Sequence, residues 1–285
     1  MIVIIGMIGV IISVIVGYKM EHGNLSIMFQ PAEFVIIGGS AFFALIISVG
    51  KNFLHIIKSI SGIFKPSLGN RKNYTDLLLL LHALFAKSQK DGLISLEHHI
   101  DEPEKSEIFK KFPLINSQPK IRLCITDNLR ILISGGSPDQ MENLMEIDME
   151  TQHDEALYPS SIITKIADAL PGLGIVAAVL GVTLAMAKID AAPEVLGHTV
   201  AAALVGTFLG VLLCYGFVGP LATYLEHQVH DEEIFFNAIK MALVAYSMGT
   251  HPNLAVEAAR RAIPTQSRPS YDEIESEIKK WKSKT

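Results

Sequence analysis

The sequence predicts an all-α integral membrane protein with four transmembrane helices and a large helical cytoplasmic region. Of its 285 residues, 49% are hydrophobic and only 19% are charged, whereas average soluble proteins carry about 25% charged residues. The missing charge is concentrated in four apolar windows. The remaining sequence has an ordinary soluble composition, with helical rather than strand-like patterning.

The first two windows predict a transmembrane hairpin over residues 1–50. Their uncharged stretches place the spans at about 2–18 and 34–50, near the short end of the roughly 17 to 25 residues that cross a bilayer as a helix. No basic stretch precedes the first window, and no small-x-small cleavage site lies before Glu21. We therefore expect a retained helix rather than a cleaved signal peptide.

The last two windows predict a second hairpin over residues 168–225, with spans at about 169–187 and 199–222. Small residues recur in it at four-residue spacing, which lets helix backbones approach closely in lipid. Packing alone explains most of these positions. They are Gly174, Ala177, Ala178, Gly181 and Ala185 in the third span, and Ala202, Gly206, Gly210 and Cys214 in the fourth.

Basic residues orient the four spans. The segment between the two hairpins holds 14 of the 24 lysines and arginines and the tail holds 8, whereas each short connector holds one. By the positive-inside rule, a cytoplasmic helical domain covers residues 51–167 and a cytoplasmic tail covers 226–285. We therefore expect an inner-membrane protein with both termini in the cytoplasm, in which residues 19–33 and 188–198 are short external loops.

The cytoplasmic segments are predicted to be helical. Tyr74–Lys90 carries a dense apolar run. Ser137 and Gln140 form a capping box at a helix start, and Ser270 and Glu273 repeat it. The helix that follows the first box has an apolar face, which we expect to pack in a core or against another helix rather than to form a ligand groove. This face consists of Met141, Leu144, Met145 and Met149.

Enzymatic and metal-binding functions have no support in the sequence. It contains no phosphate-binding loop, no zinc-ligand spacing and no nucleophile elbow. Cys124 and Cys214 lie far apart and form neither a disulfide framework nor a metal motif. The net charge of −5 argues against nucleic-acid binding, which requires clustered lysine and arginine. We predict that the chain is not an enzyme and has no catalytic residue, metal site or bound cofactor.

Two prolines mark the second hairpin. Pro171 lies three residues after Asp168, and Pro220 lies six residues before Glu226. Because the two spans are antiparallel, we expect both prolines near the cytoplasmic end, at similar depth. Each proline lacks a backbone N–H, so one carbonyl of its helix has no hydrogen-bond donor. Inside a membrane, such a carbonyl is tolerated only where another protein group or a water molecule donates to it. The two prolines could form a kinked hinge or a polar lining. Equally, they could only shape their helices.

No Asp, Glu, Lys, Arg or His lies inside any of the four predicted spans, and Glu33 and Asp168 lie only at span edges. A proton path needs a titratable group inside the membrane, where such groups are rare and functional. If this chain conducts protons, the carboxyl that binds them must therefore come from a partner. This chain could contribute hydroxyl groups to the lining of such a path, from Thr183, Thr199, Thr207 and Tyr215.

Ordered blocks of residues carry a family resemblance over nearly the whole chain. They are Ala86-Lys87-Ser88 with Gly92 and Ser95-Leu96-Glu97, Ser106-Glu107-Ile108-Phe109, Asp168-Ala169-Leu170-Pro171, Gly174-Ile175-Val176-Ala177-Ala178, Val205-Gly206-Thr207-Phe208-Leu209-Gly210, Pro220-Leu221-Ala222-Thr223 and Arg268-Pro269-Ser270. With this layout of spans, the chain resembles the MotA family, the larger subunit of the flagellar motor stator, within the MotA/TolQ/ExbB proton channel group.

The resemblance implies a partner and a proton path. Family members assemble as five copies around two copies of MotB, whose single transmembrane helix carries the proton-binding aspartate. Pro171 and Pro220 match two prolines held to couple ion passage to movement, and Thr207 matches a threonine near the path; Thr183 and Tyr215 stay candidates for its lining. Ala178 stands where sodium-driven relatives usually carry threonine. Because alanine offers a sodium ion no oxygen ligand, the resemblance favours protons as the coupling ion.

The resemblance also implies a charged surface that pushes on the rotor protein FliG. Glu97 matches the acidic position of the family. The family's arginine falls on Gln89, which is uncharged, and the adjacent Lys90 would point about 100° further round a helix. Asp148 falls near another acidic position. These four residues are the expected rotor contacts.

Two other functions stay open. One is a relative of ExbB and TolQ, which energise outer-membrane processes by proton flow. Such chains usually have three spans and an external amino terminus, so the fourth span and the Glu97 region favour the stator. The other is a membrane scaffold without transport, in which the prolines only shape helices.

Overall fold

The structure, a computed structural model, describes residues 2–61 and 68–282. Over these residues the chain is 85% helical and has no β-strand, which confirms the predicted all-α class. The chain divides into two compact units. The first comprises Met1–Lys65 and Ala156–His227, and the second comprises Pro66–Glu155 and Gln228–Thr285.

Helices of very different length, from 4 to 49 residues, follow one another along the described chain. In chain order, the helices are α1 (Ile2–Met20), α2 (Leu25–Met28), α3 (Pro31–Phe34), α4 (Ser40–Val49), α5 (Phe53–Ser61), α6 (Arg71–Asp91), α7 (Glu97–Asp101), α8 (Glu107–Lys110), α9 (Pro113–Ser117), α10 (Pro119–Ile133), α11 (Pro138–Met186), α12 (Pro193–Leu213), α13 (Gly219–Ser247), α14 (Pro252–Ala262) and α15 (Tyr271–Lys282). Two π-helical turns, Val35–Gly39 and Cys214–Val218, join α3 to α4 and α12 to α13.

Among the described residues, four helical stretches are long and apolar enough to cross a membrane. They are Ile2–Met20, Leu25–Asn52, and parts of Pro138–Met186 and Pro193–Ser247. This agrees with the predicted spans in number and order. The second predicted span, 34–50, lies within a helical stretch that begins at Leu25. Pro31 opens a helix there that runs through the first π-helical turn into α4.

The first unit has a small hydrophobic interior. Its largest buried cluster contains Ile37, Ala41, Ala167, Leu170, Ala177, Val205, Leu209 and Cys214, so the expected packing role of Cys214 is confirmed. Helix α1 contributes no buried residue at all. Many isoleucine, valine and phenylalanine side chains of the apolar helices are exposed, as suits helices that are solvated by lipid.

The second unit has a conventional hydrophobic core. Helix α6, predicted over Tyr74–Lys90, begins at Arg71, where the Asn70 side chain accepts a hydrogen bond from the Asn73 backbone at 2.9 Å. Its leucines pack against helices from both halves of this unit. Phe85 is fully buried, and its ring stacks on Tyr246 at a centroid distance of 4.2 Å. Other fully buried large side chains are Tyr74, Leu77, Leu78, Leu80, Leu81, Leu84, Leu96, Phe109 and Phe235.

The predicted capping box is confirmed, but the apolar face after it is only partly so. The Gln140 backbone donates to Ser137 Oγ at 3.2 Å, and the Ser137 backbone donates to Gln140 Oε1 at 3.0 Å. Met141 and Met145 are buried in the core, whereas Leu144 is 51% exposed. Leu144 lies outside the core, because the buried stripe of α11 is narrower than the apolar face in the sequence.

Candidate functional site

The third and fourth spans touch backbone to backbone. A methyl group added to Gly210 would lie 2.6 Å from the Leu170 carbonyl oxygen and 2.9 Å from the Gly174 Cα. A methyl group added to Gly181 would lie 2.6 Å from the Ala203 Cβ. Because real Cβ atoms do not approach so closely, these contacts require glycine. The stripes of small residues therefore pack α11 against α12, as their spacing predicts.

The same contacts fix the register of the pair, and they correct the predicted level of the prolines. Pro171 follows the residue that meets Gly210, whereas Ile163 and Ala222 share a buried cluster near Pro220. Pro220 therefore lies about two helical turns, or roughly 12 Å, from the level of Pro171. The prediction of similar depth is wrong. It counted residues from Asp168 and from Glu226, and these two charged residues do not lie at the same level of the helix pair.

A wide helical turn directly precedes Pro220. The helix is π-helical over Cys214–Val218, and the Gly219 backbone donates to the Cys214 carbonyl, five residues back. A π-helical turn interrupts the regular ladder and is frequent at functional sites. Since Pro220 has no backbone donor, two departures from regular helix coincide here. Pro171, in contrast, lies inside the uninterrupted helix α11.

Of the predicted path residues, the structure brings Ala178 and Thr207 to one place. Both are half-buried and border the close contact between α11 and α12. Thr183 and Tyr215 are exposed, Tyr215 at 73%, and do not join that contact within one chain. The Thr183 hydroxyl donates to the Val179 carbonyl at 2.8 Å, so its oxygen remains available as an acceptor.

A carboxyl that the sequence placed at a span edge lies inside the bundle. Glu33 is only 7% exposed and sits on α3, within the second apolar stretch. A methyl group added to Gly206 would lie 2.5 Å from Glu33 Oε2 and 3.2 Å from the Ala178 backbone nitrogen. Oε2 has no hydrogen-bond partner among the described residues. The missed signal is the four-residue spacing of Glu33, Ile37 and Ala41, which puts them on one helix face.

The expected rotor-contact residues lie on the surface of the second unit. Gln89 and Lys90 are exposed in the last turn of α6, and Glu97 is exposed at the start of α7. No ion pair joins Lys90 or Glu97 to another residue that the structure describes. Asp148 is exposed on α11 and accepts a hydrogen bond from Gln152 at 2.8 Å.

Cysteine and metal chemistry find no site in the described part of the chain. No group of three or more histidine, cysteine or acidic side chains there is arranged to hold a metal ion. Burial, and secondly the charges of Asp148 and Asp127, raises the pKa of the Cys124 thiol to about 12. Thiolates rather than thiols react and bind metals, so Cys124 is a packing residue.

Family comparisons match most of the chain. Residues 4–92 match the family described as Motility protein A N-terminal, and residues 117–238 match the MotA/TolQ/ExbB proton channel family. The chain is 40% identical to motility protein A of Salmonella typhimurium, over 98% of this chain and 95% of that protein. It is 38% identical to motility protein A of Escherichia coli, over 99% and 97%.

The fold is similar to that of solved stator complexes. The chain superimposes on a chain of C. jejuni MotAB with a TM-score of 0.78 and 21% identity, covering 94% of this chain and 98% of that one. It superimposes on a chain of the Bacillus subtilis flagellar MotAB stator complex with a TM-score of 0.77 and 20% identity, over the same shares.

Proposed function

This chain belongs to the motility protein A family, and we infer that it is a stator subunit of the bacterial flagellar motor. With a MotB-like partner it forms a proton channel and converts ion flow into torque on the rotor. The observation that carries this function is the match to motility proteins over 98% of the chain. A role like that of ExbB or TolQ has less support, since residues 4–92 match the amino-terminal region of motility proteins.

The proposed stator lies in the inner membrane with both termini in the cytoplasm. The biased distribution of lysine and arginine supports this orientation. The second unit, which carries most of the basic residues, is then cytoplasmic, and the connector before α12 faces outward.

Proton flow passes along the third and fourth spans. Ala178 and Thr207 border the helix contact, and Thr183 and Tyr215 add hydroxyls on exposed faces. Pro171 and Pro220 couple ion passage to movement, and the π-helical turn beside Pro220 supports a hinge at that level. A proton, rather than a sodium ion, suits a path in which Ala178 offers no side-chain oxygen.

Assembly completes the channel. We propose that five copies surround a MotB-like subunit, whose single membrane helix carries the principal proton-binding aspartate. The exposed apolar side chains of the first unit support contacts with lipid and with further helices. On the cytoplasmic side, Glu97, Lys90, Gln89 and Asp148 contact the rotor protein FliG.

Co-purification from membranes tests the assembly. A partner with one membrane span, an intramembrane aspartate and an external peptidoglycan-binding domain is the expected companion. Recovery of a single-span companion without a peptidoglycan-binding domain would instead favour the outer-membrane energiser.

The coupling role is tested with Pro171→Ala and Pro220→Ala, with swimming and proton leak measured at equal membrane abundance. Both variants should lose most swimming. Because the two prolines lie about two turns apart, we expect the effects on leak to differ between them. Normal motility in both variants would remove the coupling role.

A further inference from the structure

Glu33 is a buried carboxyl that the proton path proposed above does not use. Its side chain is 7% exposed, and Oε2 has no hydrogen-bond partner among the described residues. An ionised carboxylate in such a place loses its hydration without compensation, whereas the neutral acid loses far less. Ionisable residues inside membrane segments are expensive and mark functional pathways.

The depth of Glu33 follows from its helix face. Glu33, Ile37 and Ala41 are buried at 7%, 0% and 8% exposure and form one stripe, which faces the third and fourth spans. Glu33 meets Gly206, seven residues after the uncharged stretch of the fourth span begins at Thr199. Its carboxyl therefore lies roughly 10 Å inside that stretch, beside the contact that holds Ala178 and Thr207.

No charged group in the described residues pairs with Glu33. On α12, the nearest acidic, basic or histidine residues precede Gly206 by two or more turns. On α11 and in the turn after it, such residues lie about ten residues to either side of Ala178, or roughly 15 Å along the axis. The remainder lie at the end of α1 and in the turn after it. These groups are Glu194 and His198, Asp168 and Lys188, and Tyr18, Lys19, Glu21 and His22.

We propose that Glu33 is a second intramembrane proton-binding site, carried by this chain itself and set on the external half of the ion path. The site rests on the proposed stator function and refines it: the partner's aspartate is not the sole carboxyl in the channel. Burial favours the neutral acid at rest. The unpartnered Oε2, close to Gly206 and the Thr207 turn, is free to hydrogen bond to a water or hydroxyl of the path and so to exchange its proton.

Carbodiimide labelling reads the proton on Glu33 directly. Dicyclohexylcarbodiimide reacts with protonated carboxyls in apolar surroundings: the acid O–H adds across an N=C bond, its proton goes to nitrogen, and acyl migration leaves a stable N-acylurea. Membranes that hold the full complex are labelled from pH 5 to pH 9, and the adducts are counted by mass spectrometry. Glu194, an exposed glutamate on the external connector, is the internal control.

At pH 7 we expect Glu33 to be labelled at least about tenfold more than Glu194, because the reagent modifies carboxyls in apolar surroundings and the Glu194 side chain is exposed to solvent. Labelling of both residues that disappears in parallel between pH 5 and pH 7 would identify Glu33 as an ordinary solvated carboxylate and overturn the proposal. If Glu33 is unlabelled even at pH 5, the variants below decide.

Swimming speed as a function of external pH tests the role of that proton. Glu33→Gln keeps the shape but cannot release a proton, Glu33→Asp keeps the carboxyl, and Glu194→Gln is the matched control. At equal membrane abundance, we expect Glu33→Gln to swim severalfold more slowly with a flattened pH profile. Glu33→Asp should keep a pH profile with a displaced midpoint, and Glu194→Gln should match the unmodified chain.

A wild-type speed and pH profile in Glu33→Gln would overturn the proposal. If Glu33→Gln fails to reach the membrane, Glu33→Asp decides by whether its midpoint moves. Failure of the stator function itself is distinguishable, because the unmodified chain would then lack a MotB-like companion and fail to restore swimming, whereas labelling at Glu33 can also be measured in membranes that hold this chain alone.

Discussion

The two units of the chain pack their helices with different kinds of residue. The first unit brings backbones together through glycine and alanine, and it leaves large apolar side chains exposed. The second unit buries leucine and phenylalanine in a core and exposes charge. Water drives the burial of apolar surface in the second unit, whereas lipid is as apolar as leucine and leaves close contact as the main attraction in the first. Substitutions that add atoms should therefore harm the first unit, and those that remove atoms should harm the second.

The largest effect is expected from Gly210→Ala in the first unit. The added methyl group meets the Leu170 carbonyl at 2.6 Å and the Gly174 Cα at 2.9 Å, so the third and fourth spans must separate. We expect swimming to be abolished and the chain to be depleted from membranes. Gly172→Ala is the matched control, since its methyl group meets nothing within 4 Å. Equal behaviour of the two variants would contradict the close-contact account.

The complementary change is Phe85→Ala in the second unit. Phe85 is fully buried and stacks on Tyr246, so the truncation leaves a cavity and should reduce the free energy of unfolding by about 3–5 kcal/mol. Thermal unfolding in detergent, followed by circular dichroism, measures the loss. Ile94→Ala, at a side chain that is 73% exposed, should change stability by less than about 0.5 kcal/mol. A small effect at Phe85 would show that the core tolerates vacancies.

A smaller, pH-dependent effect is expected at Glu257. The Arg260 guanidinium donates to this carboxyl at 2.6 Å and 2.8 Å, and with Arg261 it lowers the pKa of Glu257 to about 2. A depressed pKa stabilises the fold above the ordinary value of 4.5, and this contribution is lost as the pH falls toward 2. Glu257→Gln should therefore cost about 2 kcal/mol at pH 7, with the difference from the unmodified chain shrinking below pH 4.5.

Glu275→Gln is the control for that experiment. It breaks a pair with Lys279 in which both side chains are largely exposed, and such pairs contribute about 0–1 kcal/mol. A constant deficit of Glu257→Gln at all pH values would point to lost packing rather than lost charge.

The smallest effects are expected from single exposed charges of the proposed rotor contact. Glu97→Lys and Lys90→Glu should each slow swimming by about twofold, since exposed charge pairs are individually weak. Neither should alter stability. The family's arginine aligns with Gln89, and Lys90 is its proposed substitute. If this is so, adding Gln89→Arg to the Lys90→Glu variant should restore its swimming speed. Unchanged swimming in Lys90→Glu would remove Lys90 from the contact.

Features with a local cause could be predicted from the sequence. Four apolar stretches follow from composition, and the box of Ser137 and Gln140 follows from hydrogen bonds within one helical turn. Likewise, the spacing of Gly174, Gly206 and Gly210 was sufficient to predict close helix contact. Each depends on residues a few positions apart, so no knowledge of the tertiary arrangement was needed.

Features that depend on the axial register of packed helices could not be predicted. The levels of Pro171 and Pro220 depend on the axial register of two spans, which the contacts of Gly210 determine and charge distribution does not. Glu33 was misplaced for a related reason. An uncharged window ends at the charged residue Glu33, whereas the helix that begins at Pro31 includes Glu33 and continues into the membrane span.

The second unit is discontinuous in sequence, and this has a consequence for biosynthesis. Its core combines Leu77–Leu84 with partners from the final segment of the chain, among them Phe235, Ala255 and Ile274. During translation, these partners emerge only after the last membrane span has been made. We therefore expect the middle segment to wait at the membrane surface with its leucines uncovered, dependent on chaperones, until the tail arrives. A ribosome stalled before residue 228 should hold a protease-sensitive intermediate.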